Sequence, residues 1–401
     1  MISPDKALDI IFSKTSALPA EKIGFLDSLN RILTQDIKAT MDLPPFDRSS
    51  MDGFAVRSID TKGAEGKNPV RLKVVGMAQA GGNFSGMIKK GETVKIMTGA
   101  PIPKGADSVL IKENAIEVGG SIQVLAQTRP GENIRYRGDD TKKGETIILK
   151  GSRVTAGIVA LLASLGVTRV SVACKPRAGI LVTGDELIEA KEKLRPGKIR
   201  SANQYALYSQ VKEAGGEPII LGIVKDERRK TKDAILKGLR FDVLLISGGV
   251  SVGDFDLVPK VLKELGTKVF IQKVAIQPGK PLLFGKYKST YVFGLPGNPV
   301  STMISFYKFV WPCLLKLMGA SGSPVRKANA VLQEDIKISG QRTKILRAVV
   351  IEKGSELFVR LASHQGSGNI LSVAKANCLL EIKEGINQLR KGQRVEVQYL
   401  P

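Results

Sequence analysis

Apolar residues at Ala7, Leu8, Ile11 and Phe12 fall at helical spacing, and the segment 4–29 reads as a helix. From Met41 the rhythm changes. Short strand-like runs at 71–78, 92–97, 107–112 and 121–126 are punctuated by Gly-Gly and Pro-Gly, which predicts a compact β region. The stretch 155–166 is a short apolar helix closing on a glycine. From about Pro176, apolar runs at 177–184, 217–224, 241–249 and 290–297 alternate with helical stretches at 202–214, 227–239 and 257–265. That alternation predicts an α/β domain with a parallel sheet, whose ligands bind beyond the carboxyl ends of the strands. After Pro324, runs at 330–338, 345–352 and 394–400, with the turn Lys353-Gly354-Ser355, predict a second small β domain.

The 401 residues, 43% of them hydrophobic, are enough for two to four domains at roughly 100 to 200 residues each. The longest apolar stretches are broken by Arg169 and Lys308, so no transmembrane helix is expected. The start carries Asp5 and Lys6 where a secretory leader needs an apolar core, and a cytoplasmic location is expected. Cys174, Cys313 and Cys378 with the single His364 lack the spacing of a Cys/His metal site. His364 also lacks a G-x-S-x-G elbow, which argues against a Ser/His hydrolase. The net charge of +23 is scattered without a long basic run or interleaved aromatics, so it suits small anions better than nucleic acid.

Three loops carry the candidate chemistry, each after an expected strand: Thr183-Gly184-Asp185-Glu186, then 247–256 (SGGVSVGDFD), then 294–301 (GLPGNPVS). Glycines at strand ends let backbone amides approach an oxyanion, which suits phosphate. Asp185, Glu186, Asp226, Asp254 and Asp256 all follow strands, so several could meet around one hard cation, with magnesium the best fit. Pro278-Gly279-Lys280-Pro281 holds a lysine between prolines, in a geometry suited to an anion. Neither a GxxxxGK[ST] loop nor a GxGxxG fingerprint is present.

The ordered set MDGFA, IMTGAPIPKGAD, IRYRGDD, TGDEL, SGGVSVGDFD, PGKP, GLPGNPVS and HQGSGN resembles the molybdopterin molybdenumtransferase family, the MoeA proteins and the gephyrin E domain, over nearly the whole chain. The resemblance implies an elongated multidomain protomer in a homodimer. A molybdopterin-binding α/β domain would comprise 1–20 and 173–322, and a small linking domain 21–45 and 140–172. A protruding β domain would occupy 46–139, and a β-barrel-like domain 323–401. The implied reaction inserts molybdate or tungstate into adenylylated molybdopterin with magnesium-dependent release of AMP. The molybdopterin adenylyltransferase and acceptor molybdoenzymes are candidate partners.

Carried over by motif, Glu186, Asp226 and Asp256 would hold magnesium and face the adenylate. Ser247, Gly248, Gly249, Ser251, Gly253, Pro296, Gly297, Asn298, Pro299 and Ser301 would line the nucleotide and pterin pocket. Lys273, Gly279 and Lys280 would contact phosphate or oxyanion, with Arg347 and Ser367 as an anion-binding edge. Asp52 and Thr98 would arrive as catalytic residues from the other subunit, and Arg137 and Asp140 would be hinge or structural residues. Gln277 departs from the family, many members of which carry a lysine there. It can donate a hydrogen bond but not a charge-assisted one. An adenylyltransferase and a pterin-binding scaffold are the competing readings.

Overall fold

The computed structural model describes residues 1–82, 84–250, 256–321 and 326–400. The chain divides into two compact units: Met1–Gln35, Lys150–Thr155 and Val170–Pro401 make one, and Asp36–Leu149 with Ala156–Arg169 the other.

In the first unit, helix α1 (Pro4–Lys14) starts at Ser3, whose hydroxyl accepts from the Lys6 amide at 3.2 Å, with Pro4 in the first turn and Asp5 beside the positive end. It buries Ala7 and Ile11. The helix is shorter than its spacing suggests. Its apolar face ends at Phe12, Pro19 cannot continue a helix, and Ala20–Gly24 is a strand followed by a single 3-10 turn at Leu26–Ser28.

The α/β part is a six-stranded sheet of β1 (Arg177–Thr183), β2 (Glu217–Val224), β3 (Val243–Ser247), β4 (Lys268–Lys273), β5 (Pro281–Tyr287) and β6 (Thr290–Leu295). The spatial order is β2-β1-β3-β6-β5-β4. The first four in that order run parallel, as expected, and β3 and β6 are buried along their whole length, as central parallel strands must be. The sheet is nevertheless mixed, because β5 and β4 are antiparallel to their neighbours. Only Lys288 and Ser289 separate β5 from β6, too few for a crossover, so the pair closes as a hairpin with Lys288 at φ 49°. Helices α2 (Asn203–Glu213), α3 (Arg228–Gly238), α4 (Leu257–Glu264) and α5 (Pro299–Ser305) connect or follow the parallel strands.

The largest core joins α1, α2 and the sheet to Phe306, Phe309 and Leu314, and reaches Ile345 and Leu379 of the C-terminal β region. That region is built around β7 (Thr343–Lys353), which pairs with Glu356–Leu361 on one side and Cys378–Ile382 on the other. Through Lys327–Leu332 and Arg394–Tyr399 the pairing returns on itself, so five strands close into a ring around their own core. A sixth short strand, Ile276–Gln277, runs from the α/β part parallel to the start of β7. Lys308 Nζ and Glu381 pair at 2.5 Å across the same junction.

The second unit holds a six-stranded sheet in the order 108–111, 53–56, 92–96, 65–78, 121–126, 115–118, covered by two small apolar clusters. The four expected strand runs are all in it; Gly53–Val56 and Ala115–Val118 complete it. Among the described residues no helix is long and apolar enough to cross a membrane.

Candidate functional site

A cavity of about 880 Å³ opens in the first unit beyond the carboxyl ends of the parallel strands. One wall is acidic. Glu186 follows β1, Asp226 follows β2 and Asp256 precedes α4, so three adjacent strands each deliver a carboxylate to the cavity. Partial burial, and then the charges of Asp185, Glu186 and Asp256, hold the Asp226 carboxyl above its ordinary value. Crowded carboxylate oxygens are the donor set a hard cation takes, so the residues fit magnesium in kind. Among the described residues, no three acids stand close enough to hold an ion as they are.

The floor is pinned by hydrogen bonds. The buried Ser247 hydroxyl donates to Pro296 O at 2.9 Å and accepts from Asn203 Nδ2 at 2.8 Å, while the same amide donates to Gly297 O at 2.7 Å. Ser247 therefore ties the end of β3 to α2 and to the loop after β6. At Gly248 the glycine is required by packing: φ is +94°, and a Cβ would lie 2.4 Å from Thr183 O. Its amide donates to Leu295 O and that of Gly184 to Val224 O, so these two glycine amides serve the fold instead of an oxyanion. Gly249, Pro296, Gly297, Asn298, Pro299 and Ser301 all line the cavity, while Ser251, Gly253 and Asp254 lie outside the described residues. Thr183 Oγ1, Ser201 Oγ and Asn203 Oδ1 are buried in the same wall without a hydrogen-bond partner among the described residues. Orphaned polar atoms of this kind suit a polar ligand.

The opposite wall is basic. Lys280 precedes β5, which runs antiparallel, so its start lies at the same sheet edge as the ends of the parallel strands. Gly279 beside it has φ +110° and no room for a Cβ, which would meet Ser305 Oγ at 2.8 Å. Arg347 from β7 is fully buried, and its Nε donates to Ser372 Oγ at 3.0 Å and its Nη2 to Gly366 O at 3.1 Å. Burial lowers its guanidinium to about 10, still a cation at neutral pH. Arg347 thus fixes the 365–367 loop from behind, and Ser367, whose hydroxyl accepts from Asn298 Nδ2 at 3.2 Å, presents that loop to the cavity. Lys273 does not line the cavity; it ends β4, the outermost strand.

Sequence reasoning missed Arg200, Asn203, Arg342 and Lys344, all in the cavity wall. The two-residue spacing of Arg342 and Lys344 at the start of a strand was the available signal, since it puts both on one face. His364 is exposed in a loop, its Nδ1 accepting from the Gly366 amide.

In the second unit, Asp52 and Thr98 do meet. Asp52 Oδ1 accepts from the Thr98 amide at 2.7 Å and from its hydroxyl at 2.8 Å, and these bonds, the amide first, hold the Asp52 carboxyl below its ordinary value. Arg137 Nε pairs with Asp42 at 2.5 Å and Asp140 with Arg135.

Fold and cavity define a multidomain α/β protein with a polar cleft at its strand ends. Residues 2–166 match the model of the MoeA N-terminal region (domains I and II), 179–316 that of a probable molybdopterin binding domain, and 329–400 that of the MoeA C-terminal region (domain IV). The chain is 37% identical over 382 residues to a molybdopterin molybdenumtransferase of Bacillus subtilis, covering 94% of this chain and 89% of that protein. It is 34% identical over 397 residues to one of Staphylococcus epidermidis, covering 99% and 95%. The crystal structure of a molybdopterin biosynthesis MoeA protein from Pyrococcus horikoshii OT3 superposes with a TM-score of 0.87 at 32% identity, covering both chains completely. The chain belongs to the MoeA family of molybdopterin molybdenumtransferases.

Proposed function

We propose that the protein inserts molybdate or tungstate into adenylylated molybdopterin and releases AMP. Family membership makes it a transferase of molybdenum cofactor biosynthesis, with molybdopterin and molybdate as substrates. The observation that carries the finer reading is the order of charge along the strand ends. Asp226, Glu186 and Asp256 follow β2, β1 and β3; Pro296–Ser301 follows β6; and Lys280 precedes β5. From β2 to β5 are four strand intervals, roughly 19 Å at about 4.8 Å each, the reach of a pyrophosphate-linked nucleotide.

In this reading Glu186, Asp226 and Asp256 hold a magnesium ion, which when bound polarises the phosphoanhydride. The 296–301 loop seats the middle of the ligand, and Lys280 with the 365–367 loop orients the oxyanion against the dithiolene. Catalysis is chiefly positioning and charge stabilisation, with no covalent protein nucleophile. The working unit is a cytoplasmic homodimer in which Asp52 and Thr98 complete the partner copy's site. The α/β domain of 1–20 and 173–322, the linking domain of 21–45 and 140–172, the protruding domain of 46–139 and the barrel of 323–401 are its working parts. The test is AMP release from adenylylated molybdopterin and magnesium with molybdate or tungstate titrated in and ATP absent. Oxyanion-dependent release is expected; pterin nucleotide bound without release, or a requirement for ATP, would overturn the reading.

A further inference from the structure

The basic wall contains two cations to which neither the motifs nor the family match assigns a role. Arg342 Nη1 donates to Ile276 O at 3.3 Å, and its Nη2 reaches Gln277 Oε1 at 3.5 Å. Both acceptors are neutral, and among the described residues no carboxylate lies within ion-pair distance of Arg342 or Lys344. Arg342 immediately precedes β7 and Lys344 is its second residue, and each is half-buried in the cavity wall.

A partly desolvated cation bonded only to neutral acceptors keeps its charge uncompensated and its remaining N–H groups available to an anion. Arg347, in contrast, is fully buried, with Nε and Nη2 already engaged by Ser372 and Gly366. Beside Lys280, a direct cationic contact is therefore open to the half-buried pair Arg342 and Lys344. Gln277 lies at the end of the short strand paired to β7, in register with Lys344, and its amide oxygen holds the guanidinium from the cavity side.

We propose that Arg342, with Lys344 beside it, is a specificity-determining contact for a tetrahedral oxyanion in this cavity, oriented by the neutral side chain of Gln277. The inference rests on the reaction proposed above. The oxyanion is either the free metal oxyanion or a phosphate of the pterin nucleotide, and the two sources give different kinetic signatures.

The test compares the wild-type protein with Arg342→Gln, Lys344→Gln and the double variant Arg342→Gln/Gln277→Lys, each checked for native melting. Half-saturating concentrations are measured separately for molybdate and for adenylylated molybdopterin, with calorimetry of tungstate alone as a readout independent of turnover. Loss of a charge-assisted contact should raise one half-saturation about tenfold in Arg342→Gln while leaving kcat within about twofold. A rise for molybdate assigns the free oxyanion, with weaker tungstate binding in the calorimeter; a rise for the nucleotide assigns its phosphate. Lysine at 277 returns a cation to the spot Arg342 reaches and should restore most of the loss, which a merely structural role would not permit. Unchanged half-saturations in Arg342→Gln, or no recovery in the double variant, would overturn the proposal. Failure of the wild-type protein to release AMP would instead count against the reaction, and equal binding of both tungstate and the pterin nucleotide by wild type and Arg342→Gln would then overturn the oxyanion contact as well.

Discussion

The two charged walls of the cavity are built in opposite ways. On the acidic wall, carboxylates from three neighbouring strand ends crowd one another, and partial burial first, then those charges, make Asp226 the less willing to ionise. On the basic wall, the buried Arg347 has neutral hydrogen-bond partners that fix it without cancelling its charge. The acids gain by acquiring a cation, whereas the cations are already held in geometry and lack only an anion. A ligand that brings an anion together with a metal ion relieves both walls at once, which uniform binding pockets cannot exploit.

The sharpest way to break this contrast is to remove the acids. Asp226→Ala or Asp256→Ala should lower AMP release about 1000-fold, the scale of losing a charge-stabilising group at a reacting centre. Full activity in either variant would show that the acidic wall does not hold the reacting end.

A smaller effect is expected on the other side. Arg347→Lys keeps the buried charge, but an ammonium cannot span both Ser372 Oγ and Gly366 O. It should cost about 1–3 kcal/mol in denaturant unfolding, and an unchanged midpoint would mean that the fork is not what fixes the loop.

The smallest effect has the opposite sign. The folded-state pKa of Asp226 lies above its unfolded value, so folding favours the protonated acid and the carboxylate is a liability at neutral pH. In chelator, Asp226→Asn should stabilise the protein at pH 7 by under about 1 kcal/mol, screening at a largely exposed side chain keeping it small. The gain should disappear as pH falls below about 4, where the unfolded acid is protonated too. Stabilisation that persisted at pH 3 would rule out charge crowding as the cause.

What the chain reveals in advance follows the same division. The acidic wall was legible in outline because parallel βα units put residues after their strands at one edge, which placed Asp185, Glu186, Asp226, Asp254 and Asp256 there by pattern, and the motif resemblance singled out Glu186, Asp226 and Asp256. The parallel strands were equally plain, the edge strand β2 being found residue for residue. The basic wall was not legible by that rule. Lys280 precedes an antiparallel strand whose direction depends on a two-residue turn, and Arg342 and Lys344 belong to a different domain core. Lys273 falls outside the cavity lining at the end of the edge strand β4, and that edge position is a fact of sheet order that periodicity does not contain. The N-terminal helix was overextended because propensity past Lys14 is unremarkable until Pro19 and strand pairing override it.

The hairpin between β5 and β6 has a practical use. It brings Lys280 to the cavity at one end, and its exposed turn, Lys288 and Ser289, lies at the other end of the same two strands, a sheet's length away. A fluorophore or surface tether attached through Ser289→Cys would thus sit remote from the ligand while riding on the strands that carry it, giving single-molecule and immobilised assays a rigid attachment point.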